Sequence, residues 1–351
     1  MPASVLALQP TPTPLRVVDG LSDGSGGALM KAIVQDEYGT ADDLMLADID
    51  RPVVGTGEVL VRVHAASVFI GDWHIITGLP YAIRPKFGLR RPKARVRGQE
   101  MAGRIEAVGE GATSFNVGDD VYGTCEGAFA EYVSVPANLL APKPANLTFE
   151  QAATVAITGT TALQAVRDKG GVKPGQQVVI IGAAGGVGSF AVQIAHALGA
   201  HVTGVCNTTQ LDIVRSIGAE DVIDYTQEDF VRLGRQWDLI VETAGARPLA
   251  DLRRALTRGG TLVIVGGEGG GKWVGKAGRM VQAPLMSPFI SQTLRMLAVK
   301  HNGADLVVLK DLIEAGDVTP VVGRTYQLSE VPDAIRDLEQ GRTQGKSVVV
   351  I

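Results

Sequence analysis

Cysteine is scarce in this chain, with Cys125 and Cys206 the two examples in 351 residues. Two distant thiols build neither a disulfide framework nor a four-ligand structural zinc lobe, and their scarcity predicts a reducing, cytoplasmic setting. Aromatic residues make up 5% of the chain and charged residues 20%, with 33 basic and 37 acidic side chains for a formal net charge of -4. That balance excludes a dedicated nucleic-acid binder, which carries a basic excess. Long hydrophobic runs are missing too. No stretch approaches the roughly 20 apolar residues that span a bilayer, so no membrane segment is expected, and the first residues lack the basic start and apolar core of a secretory signal.

Glycine, by contrast, is abundant: 44 residues in 351, against a usual share of roughly 7%. No Gly-X-Y period accompanies it, which excludes collagen, and recurrent apolar runs exclude disorder for most of the chain. The length suits two domains. Residues 1–29 are Pro- and Gly-rich and are expected to form a flexible extension, with a short regulatory arm as the sharper alternative.

From residue 30 to about 135 the pattern is mostly β. Short strands are expected over 31–34, 59–64, 103–108, 120–122 and 129–133, punctuated by glycine, a spacing that suits a small barrel. A polar, proline-rich passage follows over 136–144. Thr148 and Gln151 are spaced as a capping box at a helix start. Beyond it strands and helices alternate: strands over 177–181, 201–205, 221–224, 238–242 and 261–265, and helices over 187–198, 211–217 and 248–256. Repeated strand-helix-strand units predict an α/β fold with a parallel, doubly wound sheet. The last segment, with helices over 306–315 and 331–340 and strands near 325 and over 347–351, is expected to return to the first domain.

The most informative segment is Gly182-Ala-Ala-Gly-Gly-Val-Gly188, set between a β-branched strand and an amphipathic helix. Gly182, Gly185 and Gly188 carry the spacing of a dinucleotide fingerprint, with Gly186 and Val187 between them. One glycine permits the tight turn, one admits a pyrophosphate, and one lets helix pack on strand; the helix N-terminus then offers free N–H groups. Roughly 20 residues on, an NAD-specific enzyme places Asp or Glu on the ribose. Here the position reads Cys206-Asn207-Thr208-Thr209, with no carboxylate, which favours NADPH with Asn207, Thr208 and Thr209 as donors to a 2′-phosphate. Tyr225, at the end of the third strand, is a further cofactor candidate.

From residue 30 to 351 the chain resembles the medium-chain dehydrogenase/reductases, and among them the zinc-independent quinone oxidoreductase-like branch. The resemblance rests on Met30-Lys-Ala-Ile-Val34, Gly57-Glu-Val-Leu-Val-Arg-Val63, Gly98-Gln-Glu-Met-Ala-Gly103, Val108-Gly-Glu-Gly111, Val117-Gly-Asp119, the glycine turn and Gly218-Ala-Glu-Asp-Val-Ile-Asp224. It implies a GroES-like β-barrel catalytic domain over 30–150 and 291–351 and a Rossmann cofactor domain over 151–290, with a small-molecule substrate between them. Zinc alcohol dehydrogenases of the superfamily carry a catalytic cysteine after the Val-Arg-Val strand and a Gly-His-Glu motif. Here these positions read Ser67-Val-Phe-Ile70 and Gly98-Gln99-Glu100, and the four-cysteine lobe is missing, so no metal is expected.

Without a Lewis acid, a conjugated acceptor is easier to reduce than a plain ketone, because charge spreads onto an oxygen held by hydrogen-bond donors. The resemblance therefore implies NADPH-dependent reduction of a quinone or an α,β-unsaturated carbonyl. An enoyl reductase, a tailoring enzyme and a catalytically silent NADPH sensor are the alternatives. Candidate residues of the cleft are Tyr81, Phe69, Asp72 and Trp73, with Tyr81 as proton or oxyanion donor; Phe69 stands where relatives place Asn. Thr158 is expected beneath the nicotinamide and Gly266 beside it, opening a glycine-rich run that suits a lid. Relatives imply a dimer or a tetramer, and a homodimer is expected, with the strand near Gly266 as its pairing edge. The stretch 84–97 carries seven cations and no acid, and is expected to be a solvated loop or an attractor of anions.

Overall fold

The computed structural model describes residues 17–18, 28–244, 247–266, 291–343 and 345–351. Most of the expected N-terminal extension, and the glycine-rich run beyond Gly266, lie outside the described residues. The two-residue strand β1 (Val17–Val18) pairs in parallel with β3 (Met45–Asp50), which in turn pairs antiparallel with β2 (Leu29–Val34). Val17, Val18 and Leu29 of the expected extension are therefore strand-paired.

The long strand β4 (Glu58–Val68) ends at α1 (Ile70–Thr77), and β5 (Glu100–Val108), β6 (Asp120–Thr124), β7 (Tyr132–Pro136) and β8 (Leu140–Pro142) follow. The expected strand over 129–133 is displaced to β7. Gly127 turns at a φ of 90°, and Ala130 forms only an isolated bridge to Ala32, so regular pairing with β4 begins at Tyr132. The passage over 136–144 contains β8, which pairs with β6.

The Thr148 capping box forms as expected, with Gln151 N–H donating to Thr148 Oγ1 at 3.3 Å and Thr148 N–H to Gln151 Oε1 at 3.0 Å. Helix α2 (Ala156–Leu163) follows, and all eight of its residues are buried. A helix buried on every side belongs between two layers, and α2 shares one core cluster with barrel residues Ala65 and Ala102 and with Val178 and Ile180 of the second sheet.

That sheet alternates β9 (Gln177–Ile181), α3 (Gly186–Ala197), β10 (His201–Cys206), α4 (Leu211–Ser216), β11 (Asp221–Asp224), β12 (Trp237–Glu242), α5 (Leu249–Arg254), β13 (Leu256–Ile264) and β14 (Thr293–Met296). Every neighbouring pair is parallel, in the order β11-β10-β9-β12-β13-β14. This is the doubly wound Rossmann order, whose direction reverses between β9 and β12. Two expectations change here. The strand before Gly266 is not an edge, because β12 and β14 flank it. Residues 293–296, expected with the barrel, complete the parallel sheet instead through Thr261↔Thr293 and Ile264↔Met296.

After α6 (Gly303–Glu314) the chain returns to the first sheet through β15 (Val322–Gln327), α7 (Val331–Glu339) and β16 (Lys346–Val350). β16 pairs antiparallel with β4, giving the order β15-β16-β4-β5-β6-β8 with β7 also on β4. Tyr122 of β6 donates its buried hydroxyl to the carbonyl of Leu306 at 2.6 Å, fixing α6 against the barrel.

Candidate functional site

At the switch point, β9 ends at Ile181 and the chain turns at Gly182, whose φ of 82° favours glycine. A Cβ there would stand 2.6 Å from Thr243 Oγ1 at the end of β12. Thr243 holds the turn in place by donating its hydroxyl to the Ile181 carbonyl at 2.8 Å. Gly188 is required by a closer approach still, since its Cβ would lie 2.0 Å from the Gly182 carbonyl oxygen. Gly185 caps α3 and is exposed, with Gly186 and Val187 half-buried behind it. The first N–H groups of a helix have no intrahelical partner and carry partial positive charge. The turn thus fits a pyrophosphate, with donors at Gly186, Val187 and Gly188.

At the end of β10, Asn207 is half-buried while Thr208 and Thr209 are exposed. Thr209 donates to Asn207 Oδ1 at 2.8 Å. The Thr208 hydroxyl donates to the carboxylate of Asp224, at the end of neighbouring β11, and holds it below the usual carboxylate range. A carboxylate does therefore reach this corner, from the third strand rather than the second. Tyr225 is 56% exposed beside it.

Across from the glycine turn, Glu100 opens β5 and is fully buried. Its Oε1 accepts from the Lys346 ammonium at 2.5 Å and from the Ser67 hydroxyl, and its Oε2 accepts from Ile157 N–H at 2.8 Å. Lys346 is 5% exposed. Its stem lies against the cofactor turn, where a Cβ on Gly186 would meet Lys346 Cδ at 3.1 Å, and its ammonium stands 5.2 Å from the centroid of the Phe69 ring.

Phe69 is the N-cap of α1, and its N–H donates to Asp72 Oδ2 at 3.0 Å. Asp72 is 2% exposed, with Gln99 Nε2 3.4 Å from Oδ1. Burial pushes the Asp72 carboxyl up to about 7, against the opposing pull of Phe69 N–H and the Lys346 charge.

The other candidates are spread more widely. Trp73 is half-buried and packs on the barrel core. Tyr81 opens a short helical turn, half-buried, with the Arg84 guanidinium 4.6 Å above its ring. Thr158 is buried in α2 and donates to the Thr154 carbonyl at 2.8 Å, so its methyl, rather than its hydroxyl proton, faces Gly186. Gly266 is exposed just beyond β13. His64 stacks on Phe149 at 4.3 Å, and His74 Nδ1 lies 2.7 Å from the Leu79 carbonyl. Among the described residues no group of three His, Cys, Asp or Glu is arranged to hold a metal ion.

Residues 55–145 match the alcohol dehydrogenase GroES-like domain, and residues 217–349 match the zinc-binding dehydrogenase domain. The chain is 31% identical to the mitochondrial NAD(P)H oxidoreductase RTN4IP1 of Mus musculus, over 94% of this chain and 91% of that protein. It is 30% identical to the 2-methylene-furan-3-one reductase of Solanum lycopersicum, over 91% and 79%. The structure of a quinone oxidoreductase from Coxiella burnetii superposes with a TM-score of 0.80 at 27% identity, covering 92% of this chain and all of that one. The chain belongs to the medium-chain dehydrogenase/reductase superfamily, in its quinone oxidoreductase-like branch.

For a member of this oxidoreductase superfamily, the residue that sequence reasoning missed is Lys346. A lone lysine opening the closing apolar strand Ser347-Val-Val-Val350 was the available signal, since a buried lysine needs an acidic partner. Asp224 was visible as a strand end, but its reach to Thr208 depends on the β10–β11 register, Cys206↔Asp224.

Proposed function

We propose that this medium-chain dehydrogenase/reductase transfers hydride from NADPH to a quinone or an α,β-unsaturated carbonyl, without zinc. The observation that carries the reading is the commitment of Glu100. Its carboxylate is already met by an ammonium, a hydroxyl and a backbone N–H, and Gln99 stands where the zinc enzymes have histidine. With a fixed cation in place of an exchangeable one, no residue here supplies a Lewis acid, and an acceptor that delocalises its own charge fits best.

The bound nicotinamide supplies the hydride. The chain's residues bind and orient: the turn at Gly182, Gly185 and Gly188 cradles the pyrophosphate, Thr158 and Lys346 flank Gly186, and Phe69 with Asp72 and Trp73 walls the acceptor side. Tyr81 is the candidate donor to the developing oxyanion. NADPH is preferred for want of a carboxylate at 206–209. A second reading, NADH preference, is favoured by Asp224, whose charge at Thr208 opposes a 2′-phosphate. A homodimer pairing through β14, which with β11 is an outer strand of the parallel sheet among the described residues, and a cytoplasmic setting for the two buried thiols complete the proposal.

The test is consumption of NADPH and of NADH by the purified protein with a panel of quinones and enones, alongside its metal content. NADPH oxidation without bound zinc supports the reading. Stoichiometric zinc overturns the metal-free part, and tight cofactor binding without turnover of any acceptor points to a sensor.

A further inference from the structure

The basic stretch 84–97 divides by what its side chains touch. Arg95 pairs with Asp36 at 2.7 Å, Arg84 donates to the Gly78 carbonyl at 3.0 Å while lying over the rings of Tyr38 and Tyr81, and Arg97 is buried. Lys86, Arg90, Arg91 and Lys93 are exposed, and among the described residues none of them forms an ion pair. The Lys86 ammonium lies 5.0 Å from the centroid of the Phe87 ring.

These free cations sit on a closed, ordered loop. One helical turn, Arg84–Phe87, ends at Gly88, whose N–H donates to the Arg84 carbonyl at 2.7 Å. The chain then doubles back, and Lys93 N–H donates to the Phe87 carbonyl at 2.8 Å, stapling the neck. The Gly88 carbonyl accepts from the Tyr38 hydroxyl at 2.6 Å. Gly88 itself holds a φ of 128°, at which a Cβ would run into the Arg91 carbonyl oxygen. The backbone is therefore fixed, and what it holds outward is Leu89, 70% exposed, followed directly by exposed Arg90 and Arg91.

A single exposed leucine is ordinary on a protein surface. Leu89 differs in its setting, because exposed Pro85, half-buried Phe87 and the four free cations belong to the same loop. The carboxylates beside the stretch are Asp36, committed to Arg95, and Glu126, which shares a recess with Lys86 and Lys93. The loop thus keeps uncompensated positive charge around an apolar tip, on a chain whose net charge is -4. Free cations suit an anionic surface, and an apolar side chain among them suits one with hydrocarbon beneath its charges. An anionic bilayer has both. A nucleic acid would meet the charge but leave Leu89 without a partner, since binding to single strands uses aromatic faces and Phe87 is half-buried.

We propose that the loop over 85–93 is a peripheral docking site for an anionic lipid surface, with Leu89 entering the headgroup boundary and Lys86, Arg90, Arg91 and Lys93 meeting lipid phosphates. Such docking needs neither cofactor nor turnover, so it is independent of the reductase reading.

Co-sedimentation of the full-length protein with vesicles tests it. Phosphatidylcholine with about 30% phosphatidylglycerol should bind the protein at least about 100-fold more tightly than phosphatidylcholine alone, since each cation near an anionic surface contributes roughly fivefold. Raising the salt from about 0.05 to about 0.5 M should weaken that binding at least about tenfold by screening. Arg90→Gln/Arg91→Gln should weaken it about 30-fold, and Leu89→Ser about tenfold through the lost burial of one leucine side chain. These positions are exposed, so both variants should keep the parental thermal midpoint, which separates lost docking from misfolding. No preference for the anionic vesicles, or a preference that survives the arginine variant, overturns the docking site. Leu89→Ser binding as the parent does, or tighter binding of a thymidine oligonucleotide than of the anionic vesicles, overturns the lipid assignment in favour of a soluble polyanion.

Discussion

Replacing Lys346 with methionine isolates the interaction on which the zinc-free reading depends. The ammonium is 5% exposed and lies 2.5 Å from a carboxylate that is 0% exposed. Methionine keeps most of the packing against Gly186 but leaves the Glu100 charge with only the Ser67 hydroxyl and Ile157 N–H. Breaking a buried pair by removing one partner costs about 3–5 kcal/mol, whereas replacing both partners with uncharged groups is often close to neutral. At roughly 2–4 °C per kcal/mol for a domain of this size, Lys346→Met should lower the thermal midpoint by about 6–20 °C, followed by circular dichroism at fixed scan rate. Glu100→Gln/Lys346→Met should recover most of that loss, giving a coupling of at least about 2 kcal/mol between the positions. A single variant that melts within about 2 °C of the parent would refute the reasoning, because the buried Glu100–Lys346 pair would then contribute nothing to stability.

Other consequences concern the cofactor turn and the titrating groups. The Asp72 carboxyl is raised from an ordinary 3.8 to about 7, so the folded chain binds its proton more tightly than the unfolded chain. Stability should fall as pH rises through that window, by up to about 4 kcal/mol, and Asp72→Asn, which keeps an acceptor for Phe69 N–H, should flatten the urea midpoint against pH. Gly188→Ala drives a methyl to 2.0 Å from the Gly182 carbonyl; overpacking of this kind costs roughly 1–3 kcal/mol, and cofactor affinity measured by fluorescence should drop with it. Asp224→Asn removes the charge at Thr208, so the NADPH-to-NADH ratio of kcat/KM should rise, and an unchanged ratio would remove Asp224 from the discrimination. Burial pushes the Cys206 thiol up to about 11 and raises Cys125 as well, so neither should react with a thiol reagent in native protein until urea unfolds it.

The parallel sheet was legible over β9 to β13 because each of these strands carries β-branched residues and the glycine turn sits at a strand end, so short-range pattern and long-range topology agree. Helix α1 was not expected. Ile70-Gly-Asp-Trp-His-Ile-Ile-Thr77 has no polar face to give it a period, and tertiary packing of Ile76 and Asp72 holds it. Strand β14 escaped because four residues with alternating burial carry too little pattern without their neighbour β13. The site shows the same division. Gly182, Gly185 and Gly188 are read from spacing, but the Glu100–Lys346 pair joins positions 246 residues apart.

The central claim is hydride transfer from a dinucleotide at the glycine turn to a conjugated acceptor. Its most direct test is incubation of the protein with NADPH deuterated at the transferable position and an enone, with mass spectrometry of the product. The account predicts one deuterium on the β-carbon of each product molecule, with the amount of labelled product falling in step with cofactor affinity in Gly188→Ala. Product without deuterium, or reduction of the carbonyl carbon in its place, would contradict it.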